Sequence, residues 1–190
     1  MLKQRYVMSA LAAMLVLSVS ASALVIDTEV IWGTRTTIDD IEIVAGGHLI
    51  ANARVDMGDG GATLTLNGGD FTSNVDFKLP DDWGPATVFI NSGTFHANQI
   101  EAVDKTGFGY DLSYMVIKDG LLKIDTGFGA GGNYDATTWI ANTMLRAADG
   151  YELVVNDLGS GAVEITAVVP EPATLVMLGL GGLSLLRKRK

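Results

Sequence analysis

The chain has no cysteine, only two histidines and four prolines, and few basic residues away from its ends. Without cysteine there is no thiol catalysis, no Cys-ligated zinc and no disulfide, so burial and hydrogen bonding alone must hold the fold. Of the 13 Lys and Arg residues, Lys3, Arg5, Arg187, Lys188, Arg189 and Lys190 sit at the termini. Residues 24–168 keep the other 7 against 21 acids, a balance of −14 where the whole chain carries −9. That charge argues against nucleic-acid binding, which needs clustered bases to displace counterions. His48 and His96 suggest neither a Ser-His-Asp arrangement nor a metal-binding pair. The 145 residues of this segment suit one domain with a real core.

What is present at the two ends differs from the middle. Lys3 and Arg5 open a basic start, Val7 to Val19 is mostly apolar, and Ala21-Ser22-Ala23 supplies small residues. That order is a secretory signal peptide over residues 1–23, read by signal peptidase at Ala21 and Ala23 and cleaved before Leu24. At the other end, Val169-Pro170-Glu171-Pro172 precedes fourteen apolar or small residues, Ala173 to Leu186, and then Arg187-Lys188-Arg189-Lys190. Fourteen residues make a helix of roughly 21 Å, a short transmembrane span whose basic end marks the cytoplasmic side. Pro170 and Pro172 keep this helix from running back into the domain.

Pro170-Glu171-Pro172, a short Gly-containing apolar helix and a basic end resemble the PEP-CTERM sorting tail of Gram-negative bacteria, also catalogued as an ice-binding protein C-terminal domain. The resemblance covers residues 169–190. It implies processing near Pro170–Pro172 by an exosortase, a membrane-embedded cysteine transpeptidase for which this chain is substrate. It also implies transient inner-membrane anchoring and then export to the cell surface or beyond, often in producers of extracellular polysaccharide.

The middle repeats. Anchor glycines Gly47, Gly69, Gly93 and Gly120 are spaced by 22, 24 and 27 residues. Each has an apolar residue three before it (Val44, Leu66, Ile90, Ile117) and Leu or Phe two after it (Leu49, Phe71, Phe95, Leu122). Asn52, Asn74, Asn98 and Asp125 lie five after. Periods in the twenties are a solenoid signature, and the runs around each glycine alternate with period two. The expected fold is therefore all-β, a right-handed parallel β-helix of about four coils over residues 24–168, flanked by the signal helix and the transmembrane helix. Leu49, Phe71, Phe95 and Leu122 should stack inside, with Asn52, Asn74, Asn98 and Asp125 as a corner ladder. The glycines permit the sharp bends. In the first copy Glu42 falls where Leu64 and Val88 point inward, so a bulge or capping turn is expected there. Ala136–Ala148 reads as a short helix or degraded coil, and Tyr151–Val155 with Ala162–Val168 as a closing hairpin.

Little in the middle points to chemistry. Asp39-Asp40-Ile41-Glu42, Asp56-Met57-Gly58-Asp59 and Asp81-Asp82 read as solvated turn acids; calcium is the competing expectation, although no EF-hand or calcium β-roll repeat is present. Arg54, Lys78 and Lys123 share no offset, which argues against the acid-and-base face of a polysaccharide-cleaving β-helix. Thr65 is followed at its offset by Phe89 and Val116, so an ice-ordering threonine array fails. The expectation is a non-catalytic adhesive or structural protein that meets exopolysaccharide or other surface proteins. A carbohydrate-active β-helix enzyme and a calcium-stabilised adhesion module are the rivals.

Overall fold

A computed structural model describes residues 23–58, 61–79, 85–102, 113–128 and 135–171. The signal helix, the transmembrane helix, Ala21, Pro172 and Arg187–Lys190 lie outside the described residues, and Ala23 immediately precedes the first strand. Among the described residues no helix is long and apolar enough to cross a membrane.

The chain coils. β1 (Leu24–Ile26), β4 (Asp40–Val44), β7 (Thr63–Asn67), β9 (Thr87–Ser92), β11 (Tyr114–Ile117) and β13 (Leu145–Ala147) stack in that order as a parallel first sheet. β2 (Glu29–Trp32), β5 (His48–Ala51), β8 (Asp70–Leu79), β10 (Thr94–Ala102) and β12 (Leu121–Ile124) form a parallel second sheet. A third side is made by β3 (Thr36–Ile38), β6 (Val55–Met57) and the C-terminal halves of β8 and β10. This is an all-β solenoid of about 3 turns.

The turn count corrects the expected four. Gly47, Gly69, Gly93 and Gly120 bound three repeats, and beyond Gly120 the second sheet receives no further coil. Instead β15 (Ala162–Val168) pairs antiparallel with β12, and β14 (Glu152–Gly159) pairs antiparallel with β15. Their hairpin turns at Ser160 and Gly161, both at positive φ, as a tight turn requires. Between β12 and this hairpin the chain makes α1 (Ala136–Ala141), whose cap Asp135 accepts from the Thr138 amide and hydroxyl, and then β13. Residues 136–148 thus hold both a short helix and a strand.

Alternation explains the core. Leu49, Phe71, Phe95 and Leu122 stack in register and are fully buried. Phe71 and Phe95 lie 4.8 Å apart between ring centroids, and Phe77 stands edge-on to Phe71 and Phe95 at 5.4 and 5.0 Å. On the first sheet Ile41, Leu64, Val88, Met115 and Leu145 form one inward column, and Ile43, Leu66, Ile90 and Ile117 another.

These columns correct the reading of the first copy. Ile41 and Ile43 point inward and Glu42 pairs with outward Thr65, so there is no bulge within β4. The extra residue sits in the corner: Ile43, not Val44, is equivalent to Leu66, and three residues rather than two separate it from its anchor glycine.

The anchor glycines also serve differently from the bend expected. A Cβ on Gly47 would strike the Ile26 carbonyl, and one on Gly69 the Val44 carbonyl, so close approach of one coil to the next selects glycine there. Among the four anchors positive φ occurs only at Gly93, while Gly46 and Gly68 carry it just ahead of Gly47 and Gly69.

Phe95→Ala should cost about 3–5 kcal/mol, because a cavity would open between two coils that cannot collapse independently. Gly93→Ala combines positive φ with a clash against the Gly69 carbonyl and should cost more than the ~1–2 kcal/mol of left-handed strain alone. Urea unfolding of each variant checks both.

Candidate functional site

The third side gathers charge that the sequence spacing scattered. Thr37, Asp56, Lys78 and Glu101 stand in register on its outer surface. Asp56 and Lys78 are each flanked by buried apolar residues, Val55/Met57 and Phe77/Leu79, and Glu101 follows buried Ile100, because alternation that buries the neighbours turns the charge outward. Arg35 Nε donates to Asp56 Oδ2 at 2.6 Å and Arg54 Nε to Asp56 Oδ1 at 2.8 Å. Arg54 Nη1 also lies 3.8 Å from Glu101 Oε2. Asp56 is therefore not a solvated turn residue: it belongs to β6 and its side chain is 14% exposed. Arg54 and Lys78 likewise share this side, whereas Lys123 lies on the second sheet in register with His96.

Burial raises the Asp56 carboxyl, but hydrogen bonds and charge from Arg35 and Arg54 outweigh it and hold its pKa below the usual range. Both carboxylate oxygens are occupied. Such a group neutralises its neighbours and is poorly suited to take a proton or attack a substrate.

The corner residues do structural work. Asn52, Asn74, Asn98 and Asp125 each follow directly on the residues Ala51, Ser73, Ala97 and Ile124, which are in register. Asn74 Nδ2 donates to Asn52 Oδ1 at 2.7 Å. Asn98 stands at a register shift between β10 and β8, and its carbonyl accepts the Thr126 amide; Asp125 Oδ2 lies 2.9 Å from His96 Nε2. A second ladder, absent from the sequence reading, runs along the preceding corner. Asn91 Nδ2 donates to Asn67 Oδ1 at 2.9 Å, and Asn67 Nδ2 donates to Glu42 Oε1 at 2.7 Å. Its signal was Asn at two before the anchor glycine in both the second and third copies.

Several acids are likewise spent between coils. Asp40 Oδ1 accepts the Thr63 amide at 3.0 Å and Asp70 Oδ1 the Thr94 amide at 2.8 Å. Among the described residues no three His, Asp or Glu side chains are grouped to hold a metal. His48 and His96 lie on outward positions two strands apart, with His48 Nε2 3.1 Å from Thr72 Oγ1. On the first sheet Thr63 and Thr87 share a register, but Tyr114 follows them, so the threonine column is two deep.

The chain's exit from the domain is abrupt. β15 ends at Val168, and Val169, Pro170 and Glu171 follow as exposed residues without regular structure. Residues 168–190 match the family model described as the PEP-CTERM protein-sorting motif. No curated protein and no solved structure matches the chain.

Because the Asp56 pKa is lowered in the fold, its ionised form contributes stability above the ordinary carboxylate range, and this is lost as pH falls through the lowered value. Asp56→Asn should flatten the acid limb of the stability–pH curve below about pH 4. Arg54→Ala should cost about 1–2 kcal/mol and Arg35→Ala, whose side chain is 68% exposed, under about 0.5 kcal/mol. Denaturant titrations at several pH values read all three.

Proposed function

We propose that the chain is an exported, non-catalytic protein of the cell surface or extracellular matrix, sorted through Pro170-Glu171-Pro172 by an exosortase. The observation that carries this is a sorting-motif match over residues 168–190 attached directly to a solenoid domain. Exposure of Pro170 and Glu171 suits processing by a membrane enzyme. The basic, apolar and small residues of positions 1–23 supply the export signal, with Ala21 and Ala23 read by signal peptidase, and Arg187–Lys190 stay on the cytoplasmic side.

The solenoid would act as a stiff spacer in an exopolysaccharide or biofilm setting, presenting polar, acidic faces to polysaccharide or to other surface proteins. The non-catalytic reading rests on where the charges are spent. Asp56 is saturated by two arginines, and Asp40, Glu42 and Asp70 tie one coil to the next. A carbohydrate-active enzyme would need carboxylates free to exchange protons with substrate.

Replacing Pro170-Glu171-Pro172 by alanines in the native host should leave the protein tailed and membrane-held, as read by intact mass and fractionation. Normal tail loss and release would sink the exosortase reading. The calcium-stabilised alternative predicts a lower melting midpoint with chelator; the expected outcome is an unchanged midpoint.

A further inference from the structure

We infer that the outer face of the first sheet over β9, β11 and β13, built around Phe89, Tyr114 and Arg146, binds an acidic saccharide chain, one whose pyranose rings carry carboxylates. The inference rests on the reading above of an exported protein that meets polysaccharide, and it assigns that contact to one face.

That face departs from the charge of the domain. Residues 24–168 carry −14, yet β7, β9, β11 and β13 contain no acid. Register places Thr65, Phe89, Val116 and Arg146 in one outward column, with Thr87 and Tyr114 in the next. Phe89 and Tyr114, both half-buried, therefore stand diagonally on neighbouring strands. Hydroxyls, then rings, then a guanidinium follow one another along the stack, one row per coil, about 4.8 Å apart.

Arg146 is the residue that lacks an answer within the fold. Its guanidinium carbon lies 4.2 Å from the centre of the Tyr114 ring, over its face. Nε donates to the Thr143 carbonyl, and Nη2 donates to Thr143 Oγ1 at 3.4 Å. Among the described residues the ion pairs involve Arg35, Arg54 and His96, and no carboxylate reaches Arg146. This is an arginine kept from every acid in a segment with 21 acids and 7 bases. Five N–H donors less the two on Thr143 leave three, set in the planar fork that fits a carboxylate.

The backbone that sets this arginine is strained. Thr143 holds φ at 59°, a left-handed angle where a helix end ordinarily places glycine and a β-branched residue is an outlier. It follows Asn142, the cap of α1, and both its carbonyl and its hydroxyl serve Arg146. Strain of this kind collects at ligand sites. The Tyr114 ring and the Thr143 turn fix the guanidinium before a ligand arrives, which lowers the ordering cost of binding.

The chemistry selects the ligand. The C–H face of a pyranose carries partial positive charge and rests on the negative face of an aromatic ring, here Phe89. Sugar hydroxyls find Thr65 and Thr87, and a sugar carboxylate meets Arg146 as a charge-assisted fork. A neutral chain would leave the guanidinium unanswered, and an acidic peptide would leave the hydroxyl rows unused. The acids of β2, β8, β10, β14 and β15 lie on the other sides, so an anionic chain is repelled there and meets no like charge on these strands.

The test uses the protein purified from its native host, from whichever compartment yields it. Recovery from the cytoplasm alone overturns the export reading, whereas titrations judge the face independently. Calorimetry with short oligogalacturonides should give a Kd between about 10 μM and 1 mM, and malto-oligosaccharides of equal length should bind at least about tenfold more weakly. Arg146→Gln should lose at least about tenfold, and Arg146→Lys, which keeps the charge without the fork, most of that. Phe89→Thr installs the residue that the preceding coil carries at this offset. It should lose about three- to tenfold with circular dichroism unchanged, and it carries the test should the Arg146 variants misfold. Thr143→Gly relieves the left-handed strain, so the melting midpoint should rise while affinity falls; a risen midpoint with full affinity overturns the positioning role of Thr143. Lys123→Gln, a base on the second sheet, should change nothing. Equal binding of the two sugars, no binding, full affinity in Arg146→Gln or a loss in Lys123→Gln each overturns the assignment. Cleavage of the oligogalacturonide would overturn the non-catalytic reading and leave the face standing. A change in sedimentation of the protein alone on Arg146→Gln would make a second copy the occupant and overturn the saccharide.

Discussion

Everything in this domain follows from how closely one coil's backbone lies on the next. Neighbouring strands of a sheet are separated by about 4.8 Å, and around a solenoid that spacing holds at the corners as well as along the strands. At the corners there is no room for a side chain to point along the stack. Gly47 and Gly69 sit where a Cβ would enter the carbonyl of the coil below, and so the repeat is anchored on glycine. Once the corners fix the stack, every residue acquires a vertical neighbour at the same offset. Apolar residues become columns, amides become ladders, and a charge is placed against whatever the same offset supplies in the next coil.

That constraint explains what was readable in the sequence. The glycine spacing and the Leu49–Phe71–Phe95–Leu122 column depend on one strand and one corner, where offsets are constant, and both were visible. The closing hairpin was visible because Gly159-Ser160-Gly161 between two apolar alternations is a local signal. The third side was not. Val55 and Phe77 lie eight residues after their anchors, but Ile100, which pairs with Phe77, lies seven after Gly93, because β8 carries a register irregularity opposite Asn98. A slip of one residue reverses inward and outward in any alignment by offset. It therefore hid the ladder of Asp56, Lys78 and Glu101 and made the bases look scattered. The coil of β1, β2 and β3 was missed for a related reason: its strands are 3, 4 and 3 residues long, too short to establish a period alone.

The charge balance also gains a structural meaning. A segment at −14 ought to repel itself when wound into a tight stack. Part of that charge is met locally: Asp56 lies between Arg35 and Arg54, Asp40 and Asp70 accept backbone amides of the next coil, and Glu42 accepts from Asn67. Carboxylates that accept backbone amides add charge-assisted bonds between coils in a domain that has no cysteine to cross-link them. The same disposition commits Asp40, Glu42, Asp56 and Asp70, among the acids richest in functional suggestion, to holding one coil on the next.

A stack of this kind has a direction, and the chain uses its two ends differently. The C-terminal end is covered by the β14–β15 hairpin, whose exposed face mixes Glu152, Asn156 and Asp157 with Val154, Val155 and Leu158, and it leads directly into the sorting motif at residues 168–190. At the opposite end β1, β2 and β3, of 3, 4 and 3 residues, form the first described coil. Edge strands this short give a neighbouring chain little to pair with, so the first coil is blunted by brevity, while the last is covered by an antiparallel hairpin.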